Sequence, residues 1–577
     1  MDRNTITALL LTLLLIVVYM QFMAPKRPPG PAPDTTPQTS AVPAQAGAQP
    51  QQAAPTAATG AGSSAGVPLA SALFATATTR VPMEAGQLLT LSNDLLDVSL
   101  SGTAGDMYEI RLQQTPLVKK GPIDTAFAPS NNWQMPLRLL PVGGVESTQS
   151  FSVAQVTERD VIFAGKLAPG LELRKHYRLA TNSYIVQAGF TFRNTGDTPI
   201  SLSNAYSVLI GSIARVASSK DRYARRGCDL VMRDPATGKT KLKRYDASKK
   251  DTIRHVPGPI DWCGVRNKYF THIVVPRTEV LNVDILSYGA VNERMVSATA
   301  QVALPELAPG EEYTWDAVLY AGPIATKYLQ TIAPAAGTSD HFEEVLHLGW
   351  SAFLAKPILN YGLKGLYALV HNYGLAIIII TVIIKILTWP LQTKSFKSMQ
   401  EMQKLQPEIK ALQEKYKGDP KKLQEEQMLL YRKHGVNPLG GCLPLFLQLP
   451  IFIALYNALS HAVELWGASF LWIKDLSMPD TVYTLPFTIP VLGDGVNPLP
   501  LMMTAASIGQ QMLTPHTGDK SQQKMMFLLP AVFMFIFYNM PSGLVLYWFV
   551  NQVLTMGQMF YLHRVMKPRI QLKQAAG

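Results

Sequence analysis

Cysteine is scarce in this chain. Cys228, Cys263 and Cys442 are the only three among 577 residues. No CxxC pair or Cys/His cluster has zinc spacing, so no metal site is indicated. A phosphate-cradling glycine loop, a GxSxG elbow and an HExxH helix are all missing. Without such a context no Ser or His is given a catalytic role, and no cofactor is expected. Charge is thin as well, at 16% Asp, Glu, Lys and Arg, and the mean hydropathy is slightly positive. That balance excludes an ordinary soluble chain and fits one that is part membrane, part soluble. The formal charge is nevertheless +12. The basic runs Arg222–Arg226 and Lys239–Lys250 have no aromatic residues interleaved at stacking distance, so they are expected to be a solvated loop and DNA is not an expected partner.

At this length at least two domains are expected. Residues 1–23 hold an apolar run, Thr5 to Met23, long enough to span a bilayer. Cleavage after Ala24 would put Phe22 at −3 and Pro25 at +1, both poor choices, so an uncleaved anchor is expected. Residues 24–68 are Pro, Ala, Gln, Gly, Ser and Thr, which cannot bury a core and form a disordered tether. From 69 to 334 the pattern is β. Tyr184, Val186, Ala188, Phe190 and Phe192 alternate with their neighbours, as do Tyr313, Trp315, Ala317 and Leu319, predicting a large antiparallel sandwich. In 341–361, Phe342, Val345, Leu346, Gly349, Trp350 and Phe353 fall on one helical face opposite Glu343, Glu344 and His347. That predicts an amphipathic helix lying on a membrane surface.

Five apolar segments follow, at about 372–392, 442–462, 498–514, 525–541 and 543–563. Loop 393–440 has ten Lys/Arg against six Asp/Glu. Lys520 and Lys524 lie between the fourth and fifth spans of the whole chain, and residues 564–577 form a basic tail with Arg564, Lys567, Arg569 and Lys573. The positive-inside rule places all three in the cytoplasm, with both termini inside and the sandwich outside. Lys26 and Arg27 on the outer side of the first span disagree, but long domains translocate largely regardless of nearby charge. Loop 393–440 itself reads as a helical hairpin, with Phe396, Met399, Met402, Leu405 and Leu412 at helical spacing. A break at Gly418-Asp-Pro420 precedes Leu423, Met428, Leu429 and Tyr431. Cys228 and Cys263 then lie on the oxidising side, where a bridge would close a loop of about 35 residues.

The central feature is Lys385, a full charge inside the span that begins Gly374-Leu-Ala-Ile-Ile-Ile-Ile-Thr. Burying such a group near a bilayer centre costs roughly 2.5–3.5 kcal/mol. Thr381, Lys385, Thr388 and Gln392 share one helical face. One reading is snorkelling, in which the long stem merely reaches the nearer headgroups. The other is a polar cavity shared with further spans. Tyr547, Asn551, Thr555 and Gln558 form a stripe on the last span, flanked by Trp548 and Gln552. Thr504, Ser507 and Gln511 form another, and Gln448 sits near the cytoplasmic end of its span. Single polar residues often just glue helices together, but stripes on three helices plus a charge favour the cavity. Two spans, Leu499 to Leu513 and Met525 to Met540, would be roughly 22–24 Å long, short of the ~30 Å hydrocarbon core, and would thin the bilayer.

Three stretches carry a resemblance. Asn437-Pro-Leu-Gly-Gly-Cys-Leu-Pro-Leu-Phe-Leu-Gln-Leu-Pro-Ile-Phe-Ile-Ala-Leu-Tyr456, Leu471-Trp-Ile-Lys-Asp-Leu-Ser477 and Pro541-Ser-Gly-Leu-Val-Leu-Tyr-Trp548 resemble the YidC membrane protein insertases of Gram-negative bacteria. The resemblance implies an α-helical membrane protein: a five-span insertase core, an N-terminal anchor, and a periplasmic all-β sandwich of supersandwich type. It implies insertion and folding of inner-membrane proteins, alone or with the Sec translocon, through a hydrophilic groove closed on the outside. Nascent membrane proteins, the lipid bilayer, and the ribosome through hairpin and tail are the implied partners. The groove's basic residue, commonly arginine, falls at Lys385, and Thr381 matches a groove position. A usual tyrosine pair becomes Tyr547-Trp548. Two other functions compete with an insertase: a transporter or channel built on Lys385, and a carbohydrate-active enzyme built on the sandwich.

Overall fold

The computed structural model describes residues 88–113, 136–141, 150–202, 206–213, 226–248, 250–288, 295–436, 443–490, 492–514 and 520–575. Side chains of 141, 150, 206, 212–213, 420, 443–447, 520–527 and 565–575 are outside that description. The expected anchor and tether, and Cys442, lie outside the described residues.

Strict alternation does produce strands. A thirteen-stranded sheet is accompanied by a three-stranded one. Its centre runs, in spatial order, β6 (Val280–Tyr288), β4 (Thr252–Arg266), β5 (Phe270–Pro276), β7 (Glu312–Pro323), β2 (Ile185–Asn194) and β1 (Leu171–Leu179), every neighbour antiparallel. Tyr184, Val186, Ala188, Phe190 and Phe192 are all buried, as the period of two requires. Trp315, Ala317 and Leu319 join them from the neighbouring strand β7.

Three expectations are corrected here. Residues 240–246 are a strand, Thr240–Asp246, hydrogen-bonded along β3 (Gly227–Arg233), because Leu242 and Tyr245 between the lysines pack on the core. Cys228 and Cys263 are free thiols. Register explains it: on β3 and β4, Cys228 faces Val265 and Cys263 faces Leu230. The two cysteines are diagonal neighbours, about 7–8 Å apart, beyond the usual disulfide span. Burial pushes both thiols to higher pKa.

The third concerns 341–361, which is not one helix. A 3-10 turn, Phe342–Leu346, ends on His347 in a left-handed conformation, and Gly349 also has positive φ. Phe342, Val345 and Leu346 turn inward, with Phe342 on Trp262 of the sandwich at 5.1 Å. Trp350 and Phe353, expected on that same face, are 53% and 66% exposed. Short helical segments then continue, Ala352–Pro357, Ile358–Leu363 and Lys364–Val370.

Among the described residues seven longer helices follow: α1 (Tyr373–Lys404), α2 (Gln406–Lys415), α3 (Pro420–Lys433), α4 (Leu443–His461), α5 (Pro498–Leu513), α6 (Lys520–Phe537) and α7 (Ser542–Ala575). Among the described residues one of them, α1, is long and apolar enough by composition to cross a membrane. It starts on the Asn372 side chain, which accepts the Leu375 N–H. It does not stop at residue 392 but runs through Pro390 to Lys404. The hairpin is therefore the end of α1 with α2 and α3, closed by Met402, Leu405, Ile409 and Val436 and by the Asp419 cap on α3. Helix α7 likewise continues to Ala575, so 564–575 is helix rather than a separate tail.

Candidate functional site

Helix α7 is the hub on which the polar stripes meet. From α1, the Lys385 ammonium donates to Gln392 Oε1 at 2.5 Å and to Thr555 Oγ1 of α7 at 2.8 Å. Lys385 is only 3% exposed. Among the described residues no carboxylate stands within ion-pair distance of it; both acceptors are neutral. Its stem reaches two turns toward the hairpin end of α1, as snorkelling asks, yet it finishes between two helices rather than at a surface. Gln392 in turn donates to Thr388 at 3.2 Å, and Thr555 to its own helix at Asn551 O. One turn further along, Gln558 of α7 donates to Trp389 O and Thr393 Oγ1 of α1.

The other predicted residues do not bond to the Lys385 ammonium; Thr388 reaches only its backbone carbonyl, at 3.3 Å. Thr381, Thr388, Thr504 and Ser507 return their hydroxyls to carbonyls of their own helices, at Ile377, Ile384, Pro500 and Met503. That is the ordinary way a buried hydroxyl is satisfied on a helix. Gln552 of α7 donates to Ser507 of α5 at 3.2 Å, and Gln511 is half-buried on that same helix. Gln448 of α4 donates to Tyr547 of α7 at 2.5 Å, with Tyr547 fully buried. Each partner helix thus makes its own polar contact with α7. Trp548 is the misplaced member. Its ring lies among Phe452, Phe533 and Phe537, with centroids 5.0, 5.8 and 5.2 Å away. Its buried indole N–H has no partner among the described residues. One helical step past Tyr547, a tryptophan points to an apolar neighbour.

The end of the bundle away from the hairpin is stitched shut by a loop the periodicity did not single out. Segment 468–480 bonds to itself through Leu476 N to Ala468 O, and to the start of α7 through Ser542 N to Met478 O and Gly543 N to Leu476 O. Asp480 accepts the Leu499 N–H at the start of α5 and the Trp472 indole N–H. Burial raises the Asp480 carboxyl above its ordinary pKa, although those hydrogen bonds oppose the shift. Phe470 lies so close on α1 that a Cβ at Gly374 would fall 2.1 Å from its ring. The same end meets the sandwich: Trp466 stacks on Tyr269 at 6.3 Å and meets Phe270 edge-on at 5.4 Å. Glu464 pairs with Lys364 at 3.0 Å, and Asn457 donates to Leu348 O and Ser351 Oγ. These residues act through tertiary pairing, for which a single sequence carries little signal beyond the small Gly374.

A concavity lies on the sandwich, about 210 Å³, lined by His176, Arg178, Gly189, Arg277 and Asp316 among others. Its imidazole is engaged outside it, at 2.6 Å from Asp160, which Arg178 also holds at 2.7 Å. No group of three or more His, Cys, Asp or Glu is placed to hold a metal among the described residues.

Comparisons with known proteins cover both halves of the chain. Residues 88–361 match the family described as the YidC periplasmic domain, and residues 365–569 the family described as the 60Kd inner membrane protein. A membrane protein insertase YidC of Syntrophus aciditrophicus (strain SB) is 32% identical over 581 residues, covering 98% of this chain and 100% of that protein. One from Pelobacter propionicus is 37% identical over 436 residues, 74% of this chain and 76% of its own. The crystal structure of an active YidC insertase with its first transmembrane domain resolved shares 20% identity, covers 86% of this chain and 98% of that one, and superposes with a TM-score of 0.35.

Proposed function

Because this chain belongs to the YidC family of membrane protein insertases, an inner-membrane family with a periplasmic domain, we propose that α1, α4, α5, α6 and α7 are five membrane spans. In this reading they form an insertion site centred on Lys385, and the topology is that of the positive-inside reading, hairpin and both termini cytoplasmic. Lys385 is the observation that carries it. A cation buried against two neutral acceptors is poised for a carboxylate, since an anion replaces either acceptor with a stronger, charge-assisted bond. The polar contacts of α7 to α1, α5 and α4 supply further groups that an extended hydrophilic segment can borrow. The stitched end at 468–480 is the outer end, so polar segments enter from the cytoplasmic side.

Energetically the scheme needs no nucleotide. A polar tail is held in the site while the following apolar span leaves for lipid, driven by about 25 cal/mol per Å² of apolar surface removed from water. Helix α5, sixteen residues, is about 24 Å long, short of the ~30 Å hydrocarbon core, and thins the bilayer beside the site. The hairpin, with Met428 and Leu429 exposed on α3, and the basic end of α7 are the faces for ribosome and Sec translocon. A transporter reading is weaker, because no pair of broken helices in inverted halves accompanies Lys385. The test is reconstitution of the purified protein in liposomes with a small single-span substrate. Protease-protected insertion is expected; solute or ion flux without insertion refutes the proposal.

A further inference from the structure

Between α4 and α5 the chain makes a small hairpin, β8 (Tyr483–Ile489) with β9 (Gly493–Val496). Its sequence from 481 to 490, Thr-Val-Tyr-Thr-Leu-Pro-Phe-Thr-Ile-Pro, contains no charge. Neither face of β8 is buried. Val482, Tyr483 and Phe487 are 46%, 62% and 60% exposed. An isolated two-stranded hairpin is marginal in water even with one face covered, and one with neither face buried and two aromatic residues uncovered on the same face needs a partner.

The hairpin is also held firmly in place. Tyr538, just past α6, donates its hydroxyl to Gly495 O, and Asn497 donates to Tyr538 O at 2.6 Å. Thr481 donates to Asn497 Oδ1 at 2.7 Å, and Val482 N to Val496 O. These bonds fix the hairpin at the ends of α5 and α6. Those helices carry the exposed apolar residues Leu501 and Met502, and Leu528, Leu529, Val532, Phe535 and Ile536. The hairpin is therefore anchored, through the buried Asn497 and Tyr538, on two helices that themselves carry exposed apolar residues. Leu471 and Trp472, 75% and 39% exposed, add to it on the neighbouring loop, with Lys474 exposed beside them.

We propose that this hairpin, with Leu471, Trp472 and Lys474, is a lipid-binding surface seated in the headgroup region of the outer leaflet. The proposal rests on reading the helices as spans. Tyrosine and tryptophan, apolar with one polar tip, are the side chains enriched at that depth. Proline at 486 and 490 has no backbone donor to leave unpaired, and an exposed lysine suits the phosphate layer. A second protein or a second copy of the chain is the rival occupant, but a protein interface core is not expected to lie flush with lipid-facing helices.

The test uses the full chain, with its native cysteines replaced by serine, in liposomes of phosphatidylethanolamine and phosphatidylglycerol. A nitrobenzoxadiazole probe is attached at Phe487→Cys, at Leu387→Cys on the exposed side of α1, and at Lys239→Cys on the sandwich. Lipids bearing a nitroxide at the headgroup or deep in the acyl chain are then titrated. The expected pattern is that the headgroup nitroxide quenches 487 best, the deep nitroxide quenches 387 best, and 239 is left unquenched by both. Quenching at 387 with none at 487 overturns the hairpin proposal alone. No quenching at either site overturns the span reading and this inference with it. Self-quenching at 487 that grows with protein density, without lipid quenching, assigns the surface to a second copy and overturns the proposal.

Discussion

If Lys385 draws acidic segments into the bundle, removing its charge should slow only substrates that carry acid. An ammonium and a carboxylate about 4 Å apart attract by roughly 4 kcal/mol at an effective dielectric constant near 20. Against this stand the bonds already made to Gln392 and Thr555, and a hydrogen bond from a charged group contributes about 1.5–3 kcal/mol. Exchanging one neutral acceptor for a carboxylate therefore gains about 1–2.5 kcal/mol, or on the order of tenfold in rate. Lys385→Met keeps the stem and removes the charge. Thr555 retains its bond to Asn551 O, and Gln558 still joins α7 to Trp389 and Thr393 of α1, so the helices should stay packed. The expected outcome is an insertion rate about tenfold lower for a substrate with an acidic outer tail, little change for one with a neutral tail, and near-normal rates for Lys385→Arg. Lys385→Glu should be worse than Met for acidic tails, since attraction becomes repulsion. Raising salt should rescue little, because a site this buried is weakly screened. The assay is protease protection of two otherwise identical substrates at matched protein levels. Equal losses for both tails would refute the electrostatic role and leave a structural one.

Further outcomes follow from the packing. Gly374→Ala drives a methyl into Phe470 and should destabilise the chain by about 1–3 kcal/mol in chemical denaturation, as overpacking does. Trp466→Ala should cost roughly 3–5 kcal/mol and expose the 463–480 loop to limited proteolysis, since Trp466 joins the loop to Tyr269 and Phe270. His272 is fully buried and its pKa is lowered to about 3 from 6.5 by that burial. Its neutral form is favoured by folding, so its contribution is intact above pH 6.5 and is lost as pH falls from there toward 3. From pH 7.5 to pH 5 this one group should remove about 2 kcal/mol of sandwich stability, and His272→Gln should flatten that part of the denaturation profile. Mass spectrometry of unreduced protein should find Cys228 and Cys263 as free thiols, alkylated only after unfolding.

The β domain was legible because its alternation is local: Tyr184 and four alternate residues of β2, all buried, need no partner to declare their face. The Lys385 stripe was legible for the same reason, at period 3.6 instead of two, and two of its members, Lys385 and Gln392, do meet. What failed needed a second element. Tyr547 and Trp548 are adjacent in sequence but look toward Gln448 and toward three phenylalanines, and no period separates those fates. The disulfide failed by two residues of register, which only the β3–β4 pairing sets. The helix over 341–361 failed because His347 and Gly349 both take left-handed backbone, a change of direction that leaves the periodicity of flanking residues untouched. Gly374, Phe470 and Asp480 became visible only as neighbours.

Helix α1 joins the buried cation to the helical hairpin without a break, which makes it a crank as well as a wall. From Lys385 to Lys404 the rise is about 28 Å, so a 5° tilt at the cation sweeps the far end by about 2.5 Å. The compliant joint of this crank is Pro390, where one helical hydrogen bond is missing. Lys385 and Gln392 stand on opposite sides of that joint. A load applied to the arm that bends α1 there alters the separation of the ammonium from its acceptor before it disturbs the rest of the bundle. The grip on the cation is thereby geared to whatever pulls on the hairpin.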